Sequence, residues 1–211
     1  ELSTPSGFRL ETTLPLGGFG ISRYILDHKL AELARDAGVH VKEETKVERI
    51  DFNCEQFYIE ADSHSYQAKM AVGSFGKRSN LDVKWNRPFI SKAKNSLNNY
   101  IAVKYHIHTE IPYNTISLHN FENGYCGMSR IEDGKACLCY LTSADNLKRS
   151  ENSIVKMEEK ILSINPFLKK IFASSEKIYT SPLTISQISF EKKSCFENHV
   201  LMLGDAAGMI T

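Results

Sequence analysis

The last stretch of the chain, Val200-Leu201-Met202-Leu203-Gly204-Asp205-Ala206-Ala207-Gly208-Met209-Ile210-Thr211, constrains the fold more than any other. Four apolar residues run without a break into Gly-Asp and then into small residues. A short continuous apolar run predicts a strand buried on both faces. Gly204 permits a sharp turn or the close approach of a ligand. Asp205 then stands at the carboxyl end of that strand, where open α/β sheets bind ligands. A carboxylate there accepts hydrogen bonds from sugar hydroxyls. Ala206, Ala207 and Gly208 would open a helix whose free N–H groups face a phosphate.

Upstream, Leu16-Gly17-Gly18-Phe19-Gly20 holds three glycines in four residues and predicts a loop pressed against something. Its spacing is not that of a dinucleotide-binding fingerprint. Ser22 to Ala37 is the best helix of the chain. Leu26, Leu30, Leu33, Ala34 and Ala37 share one face, Ser22 is the N-cap and Gly38 the stop. Val39-His40-Val41 is expected as a short strand. Residues 45–52, 56–60 and 65–72 read as a small antiparallel meander, and Phe8 to Thr13 as a further strand. Met70-Ala71-Val72-Gly73-Ser74-Phe75-Gly76 runs from a strand into a turn of small residues.

Past Arg87-Pro88 four strands follow at hairpin spacing, over 99–108, 115–119, 124–131 and 135–141, with Asp133-Gly134 as the turn between the last two. One face of that antiparallel sheet packs on a core and the other is free to line a pocket. Residues 145–172 read as helical with a break at Asn165-Pro166, and 177–190 as a returning strand.

These segments resemble, in order, those of the large flavoprotein family that includes p-hydroxybenzoate hydroxylase, geranylgeranyl reductases and flavin-dependent halogenases. Leu203-Gly204-Asp205-Ala206-Ala207-Gly208 is similar to its second FAD motif, Arg23 to the opening Arg of its Arg-x-x-x-Asp-x-x-Leu helix, and Gly73-Ser74-Phe75-Gly76 to its Gly-Ala-Asp-Gly turn. The resemblance implies an α+β fold: an α/β portion of an FAD-binding domain (1–83 and 195–211) and an antiparallel-sheet-plus-helix substrate domain (84–194). It implies FAD as cofactor, held in part by Arg23, Gly73, Gly204, Asp205 and Ala206, and hydride or oxygen chemistry on a small apolar or aromatic substrate. The reductant would be NAD(P)H or another donor.

Two departures qualify it. Phe75 replaces the Asp with which the hydroxylases help bind FAD and the nicotinamide. The family's N-terminal strand, Gly-x-Gly-x-x-Gly turn and helix, which hold the ADP half of FAD, have no counterpart upstream of Leu16. The chain also lacks an initiating Met, so it is expected to be an internal piece of a longer flavoprotein that alone binds FAD weakly or not at all.

The remaining sequence gives bounds. With 26 basic and 25 acidic residues in 211, the charge balance gives no support to nucleic-acid binding. No apolar run reaches the roughly 18 residues of a membrane span. Five cysteines, an odd number without Cys-x-x-Cys spacing, point to reduced thiols and a cytoplasmic setting. Cys126, Cys137 and Cys139 sit where one hairpin would gather them. Tyr105, Tyr125 and Tyr140 are candidates for a pocket wall, with ordinary sheet packing as the plainer account. Two other readings stand beside the flavoenzyme: a non-catalytic α+β module that binds a ligand or a protein, and a metal-dependent enzyme using His106, His108 and His119.

Overall fold

The computed structural model describes residues 1–91, 99–188 and 190–209. Ser189, Ile210 and Thr211, which end the returning strand and the final motif, lie outside the described residues. In chain order the elements are β1 (Leu2–Ser3), β2 (Arg9–Leu10), α1 (Arg23–Asp36), β3 (Val47–Asn53), β4 (Gln56–Ala61), β5 (His64–Ala68), β6 (Val72–Gly73), α2 (Asn80–Lys84) and α3 (Pro88–Ser91). Then come β7 (Tyr100–His108), β8 (Ile116–Phe121), β9 (Gly124–Arg130), β10 (Ala136–Ser143), α4 (Ala144–Arg149), α5 (Ile154–Lys160) and α6 (Pro166–Ser174). The last four are β11 (Glu176–Lys177), β12 (Leu183–Ile188), β13 (Phe196–Glu197) and β14 (Val200–Met202). The architecture is α+β.

Residues 1–38 and 99–187 form one compact unit, and 39–98 with 188–211 a second. These cuts differ from the 83/84 and 194/195 boundaries read from the sequence. The first 38 residues keep company with the large sheet because β1 pairs with β8 and the amide of Ser22 donates to Glu132 Oε2 at 2.8 Å.

The first unit is built on the sheet β11-β7-β10-β9-β8-β1-β2, with β12 also on β7. Strict alternation decides its faces. Val103, Tyr105 and Ile107 of β7, and Leu138 and Tyr140 of β10, are buried, with Met157, Leu162 and Leu168 from the helical segment completing the core. That segment is not continuous. Glu151 and Asn152 both adopt left-handed backbone (φ 58° and 57°), and Ser153 caps a new helix. Asn165 caps α6 with Pro166 in its first turn.

Helix α1 has the expected ends: Ser22 Oγ accepts from the amide of Ile25, and Gly38 takes φ +85°. Its apolar face is not buried, however; Leu30 and Leu33 are 54% and 63% exposed. Val39–Val41 forms no strand, and the strand expected over 8–13 shrinks to the two residues of β2. The glycine loop before α1 is pressed as anticipated. A Cβ on Gly20 would lie 1.7 Å from the carbonyl oxygen of Arg130.

The second unit holds the meander β3-β4-β5 and a three-stranded sheet, β13-β14-β6. Two-residue turns with left-handed backbone close its hairpins, at Cys54-Glu55 and at Asn198-His199. β14 runs parallel to β6, with Met202 opposite Gly73. The final strand is buried on one face only. Val200 and Met202 enter a core with Phe57 and Ala206, while Leu201 is 42% exposed. The apolar run thus follows strand alternation rather than two-sided burial.

Candidate functional site

The parallel pairing of β6 and β14 brings two of the predicted glycine turns together. The carbonyl of Gly73 accepts from the amide of Leu203 at 2.9 Å, so Gly73 and the Gly204–Ala206 turn are neighbours. Gly73 is buried for a packing reason: a Cβ there would stand 2.6 Å from Phe75 Cε1 and 2.9 Å from Met202 Sδ. The ring of Phe75 therefore fills this turn, and it packs near Trp85.

After Leu203 the chain enters one tight helical turn, Gly204–Ala207. Gly204 has φ +57°, a conformation that a side chain would strain. Gly208, also left-handed, ends the turn. Ala206 is buried and faces the core. Asp205 is half-exposed, and its carboxylate makes no hydrogen bond or ion pair to any described residue.

Two buried cations hold this turn, and nothing in the sequence reading singled them out. Arg87, 1% exposed, donates to the carbonyls of Ala206 (3.0 Å) and Ser194 (2.7 Å) and to Asp82 Oδ1 (2.8 Å). Lys193, 6% exposed, donates to the carbonyls of Asp205 (3.0 Å) and Lys77 (2.7 Å). Both cations stand over the Phe89 ring. Burial pulls the Lys193 ammonium below its usual pKa, with the carboxylate of Asp82 acting against that pull. Asp82 also caps α2 through the amide of Ser79, so one carboxylate serves two tasks.

Arg23 belongs to the first unit, whereas Gly73, Gly204, Asp205 and Ala206 belong to the second. Its guanidinium lies along α1 in a pair with Asp27, largely exposed.

On the large sheet the candidate aromatics separate by face. Tyr105 and Tyr140 are core residues whose hydroxyls donate to the same oxygen, Glu158 Oε1, at 2.7 and 2.8 Å. Burial, and the neighbouring Glu158 carboxylate, push both phenols well above their usual pKa. Only Tyr125 of the three is exposed. The metal-site histidines separate likewise. His106 and His108 share one face, while His119 is buried on the other with Nδ1 2.7 Å from Ser3 Oγ. Cys126 is in the core, away from Cys137 and Cys139 on the opposite face.

That opposite face pairs His106 with Cys137 and Lys104 with Cys139 across β7 and β10. His106 Nε2 is buried without a hydrogen-bond partner among the described residues. Burial, aided by Lys104, lowers the imidazole pKa.

Comparison with solved structures places the fold. CmlS, a flavin-dependent halogenase, superposes with a TM-score of 0.72 at 17% identity over 89% of this chain. Over these residues the chain has the fold of the corresponding part of a flavin-dependent halogenase. Halogenase PltM gives 0.70 at 12% identity over 90%, and a flavoprotein/dehydrogenase from Cytophaga hutchinsonii 0.66 at 15% over 90%. The chain spans 35%, 42% and 48% of these three proteins, respectively. A curated relative, conditioned medium factor receptor 1 of Dictyostelium discoideum, is 24% identical over 205 residues, 90% of this chain and 38% of the receptor. No protein-family model matches the sequence. No helix among the described residues is long and apolar enough to cross a membrane.

Proposed function

We propose that the complete protein is an FAD-dependent oxidoreductase, of monooxygenase or reductase type, acting on a small apolar or aromatic molecule. The observation that carries this reading is the pair of adjacent strand ends at β6 and β14. They close on a glycine turn whose one carboxylate, Asp205, makes no hydrogen bond or ion pair to any described residue and lies within electrostatic reach of Lys193. The residues fit the cofactor at this point. An acceptor without an internal partner suits a ribityl hydroxyl, and the left-handed Gly204 leaves open space beside the backbone. Arg23 and Gly73 are the further cofactor contacts in this reading, with Gly73 acting through its backbone.

Bound FAD would supply the hydride chemistry, and the protein's part is to bind, orient and shield. Asp205 would accept from the flavin side chain, and the Gly204–Ala206 backbone would line its path. The substrate would meet the half-buried face of the large sheet, where Lys104, His106, Tyr125 and Cys137 stand. Phe75 in place of the hydroxylase carboxylate argues for delivery of reducing equivalents by a route other than a hydroxylase-type nicotinamide site in that turn.

The test is the visible spectrum of the complete protein purified from its own host, followed by chromatography of the cofactor released on denaturation. Near-stoichiometric FAD supports the reading. Protein that is colourless and takes up no added FAD favours the second reading, a non-catalytic module for a ligand or partner protein. One observation speaks for that alternative: the Dictyostelium relative is a receptor by name.

A further inference from the structure

We infer a second small-molecule site, on the helical side of the large sheet, for a zwitterionic α-amino acid with an apolar side chain. The inference stands apart from the flavin reading: every group it uses lies in the first unit, on the face away from Lys104 and His106. Between α5, α6 and β11 lies a cleft of about 430 Å³, within the roughly 300–1,000 Å³ that small-molecule sites occupy. The chain passes from α5 to α6 through a short 3-10 stretch, Leu162–Ile164, and there Ser163 Oγ donates to the carbonyl of Glu158 at 2.8 Å. Having given its one proton away, that hydroxyl can only accept from a ligand in the cleft.

Glu158 decides the ligand's first contact. It lines the cleft, yet is only 6% exposed. Both tyrosine hydroxyls go to one of its oxygens, Oε1, which fixes the direction of the carboxylate. The other, Oε2, accepts no hydrogen bond from a described residue; Lys177 Nζ stands 3.7 Å away, over the Tyr105 ring. A nearly buried carboxylate oxygen without a donor is costly, and a ligand N–H removes that cost.

The second consideration is charge. The lining carries two carboxylates, Glu158 and Glu159, and two ammonium groups, Lys169 and Lys177. A plain cation or anion upsets that balance, whereas a zwitterion keeps it. The side chains of Glu159 and Lys169 make no hydrogen bond or ion pair among the described residues, so one charge of each sign is uncommitted. The ligand's ammonium would meet Glu158 Oε2, Ser163 Oγ and Glu159, which offer acceptors for all its N–H donors. Its carboxylate would meet Lys169, and its side chain the apolar wall at Phe172.

The test is titration calorimetry of the complete protein with L-phenylalanine and L-leucine, with ligand-observed NMR for weak binding. Two analogues each lack one charge: N-acetyl-L-phenylalanine the ammonium, and L-phenylalaninamide the carboxylate. The amino acids should bind with a Kd of about 1 mM or tighter, and each analogue about tenfold more weakly, the usual worth of a charge-assisted hydrogen bond. Glu158 is the obvious residue to change, but its loss also strands two buried tyrosine hydroxyls. Lys169 and Glu159 are exposed, so their variants should keep the melting temperature within a few degrees. Lys169→Gln should weaken phenylalanine about tenfold and leave the amide unchanged; Glu159→Gln should weaken phenylalanine as much and leave the N-acetyl compound unchanged.

No binding of either amino acid at about 10 mM would overturn the inference. So would analogues that bind as well as phenylalanine, or losses in the variants that ignore which charge the ligand lacks. A preference for putrescine over phenylalanine would make the cleft a cation site and overturn it too. The FAD content of the protein has no bearing on these outcomes, so the flavin reading and this one fail separately.

Discussion

Arg87 donates to the carbonyl of Ala206 at 3.0 Å, although the two stand 119 positions apart in the chain. The same guanidinium holds Asp82 at 2.8 Å, and both side chains are 1% exposed. Asp82→Ala therefore leaves a buried cation without its carboxylate, at a cost of about 3–5 kcal/mol. Trp85, the only tryptophan, sits in the same unit, so its fluorescence during urea unfolding reads this loss directly.

Asp205 is the opposite case. Its carboxylate makes no hydrogen bond to any described residue, so Asp205→Ala should change folding stability by no more than about 0.5 kcal/mol. In the complete protein the same substitution should release FAD on dialysis where the wild type keeps it. Retention of FAD by the variant would remove Asp205 from the cofactor site.

Glu158 gathers the hydroxyls of Tyr105 and Tyr140 on one oxygen, with Lys177 3.7 Å from the other. Tyr140→Phe removes one donor and should cost about 1 kcal/mol. Glu158→Ala strands two buried hydroxyls and opens space in the core, and should cost about 3–5 kcal/mol. Chemical denaturation of the two variants and their double mutant checks the coupling, which should be well short of additive.

His119 supplies a pH dependence. Burial lowers its folded-state pKa below the ordinary value of 6.5, with Arg9 acting in the same direction and Glu1 against it. The unfolded chain then takes up a proton that the folded chain resists. This contribution to stability is whole above the unfolded pKa and declines as pH falls below about 6.5. His119→Gln should flatten the decline in urea midpoint between about pH 6.5 and 5; an unchanged slope would assign it to other groups.

Much of this was legible in the sequence where a local rule governs. The alternation in β7 to β10 gave the sheet and its two faces, because period-two burial is a property of each strand alone. Ser22 and Gly38 gave the ends of α1, since capping involves only near neighbours. The crowding of Gly20 was legible too, although its partner, the Arg130 carbonyl, was not. What escaped reading depends on distant chain. Asp82 and Arg87 look like any surface pair on paper, and Lys193 like one of a run of lysines. The burial of Asp82 and Arg87 is decided by the turn at 204–207, over a hundred residues later, and that of Lys193 by the same turn. Leu30 and Leu33 carried the right periodicity, yet a periodic face records only what a helix can bury. The break at Glu151-Asn152 was missed because left-handed backbone at non-glycine residues leaves little trace in composition.

The pairing of β6 with β14 also sets an order of events during synthesis. The meander β3-β4-β5 can close as soon as it leaves the ribosome, because each strand finds its neighbour within a few residues. β6 emerges next, and its partner among the described residues, β14, follows only after the whole large sheet is made. The turn bearing Asp205 is thus among the last parts of these residues to take shape. Gly73 thus gains the Met202 contact that closes its turn only when β14 has been made.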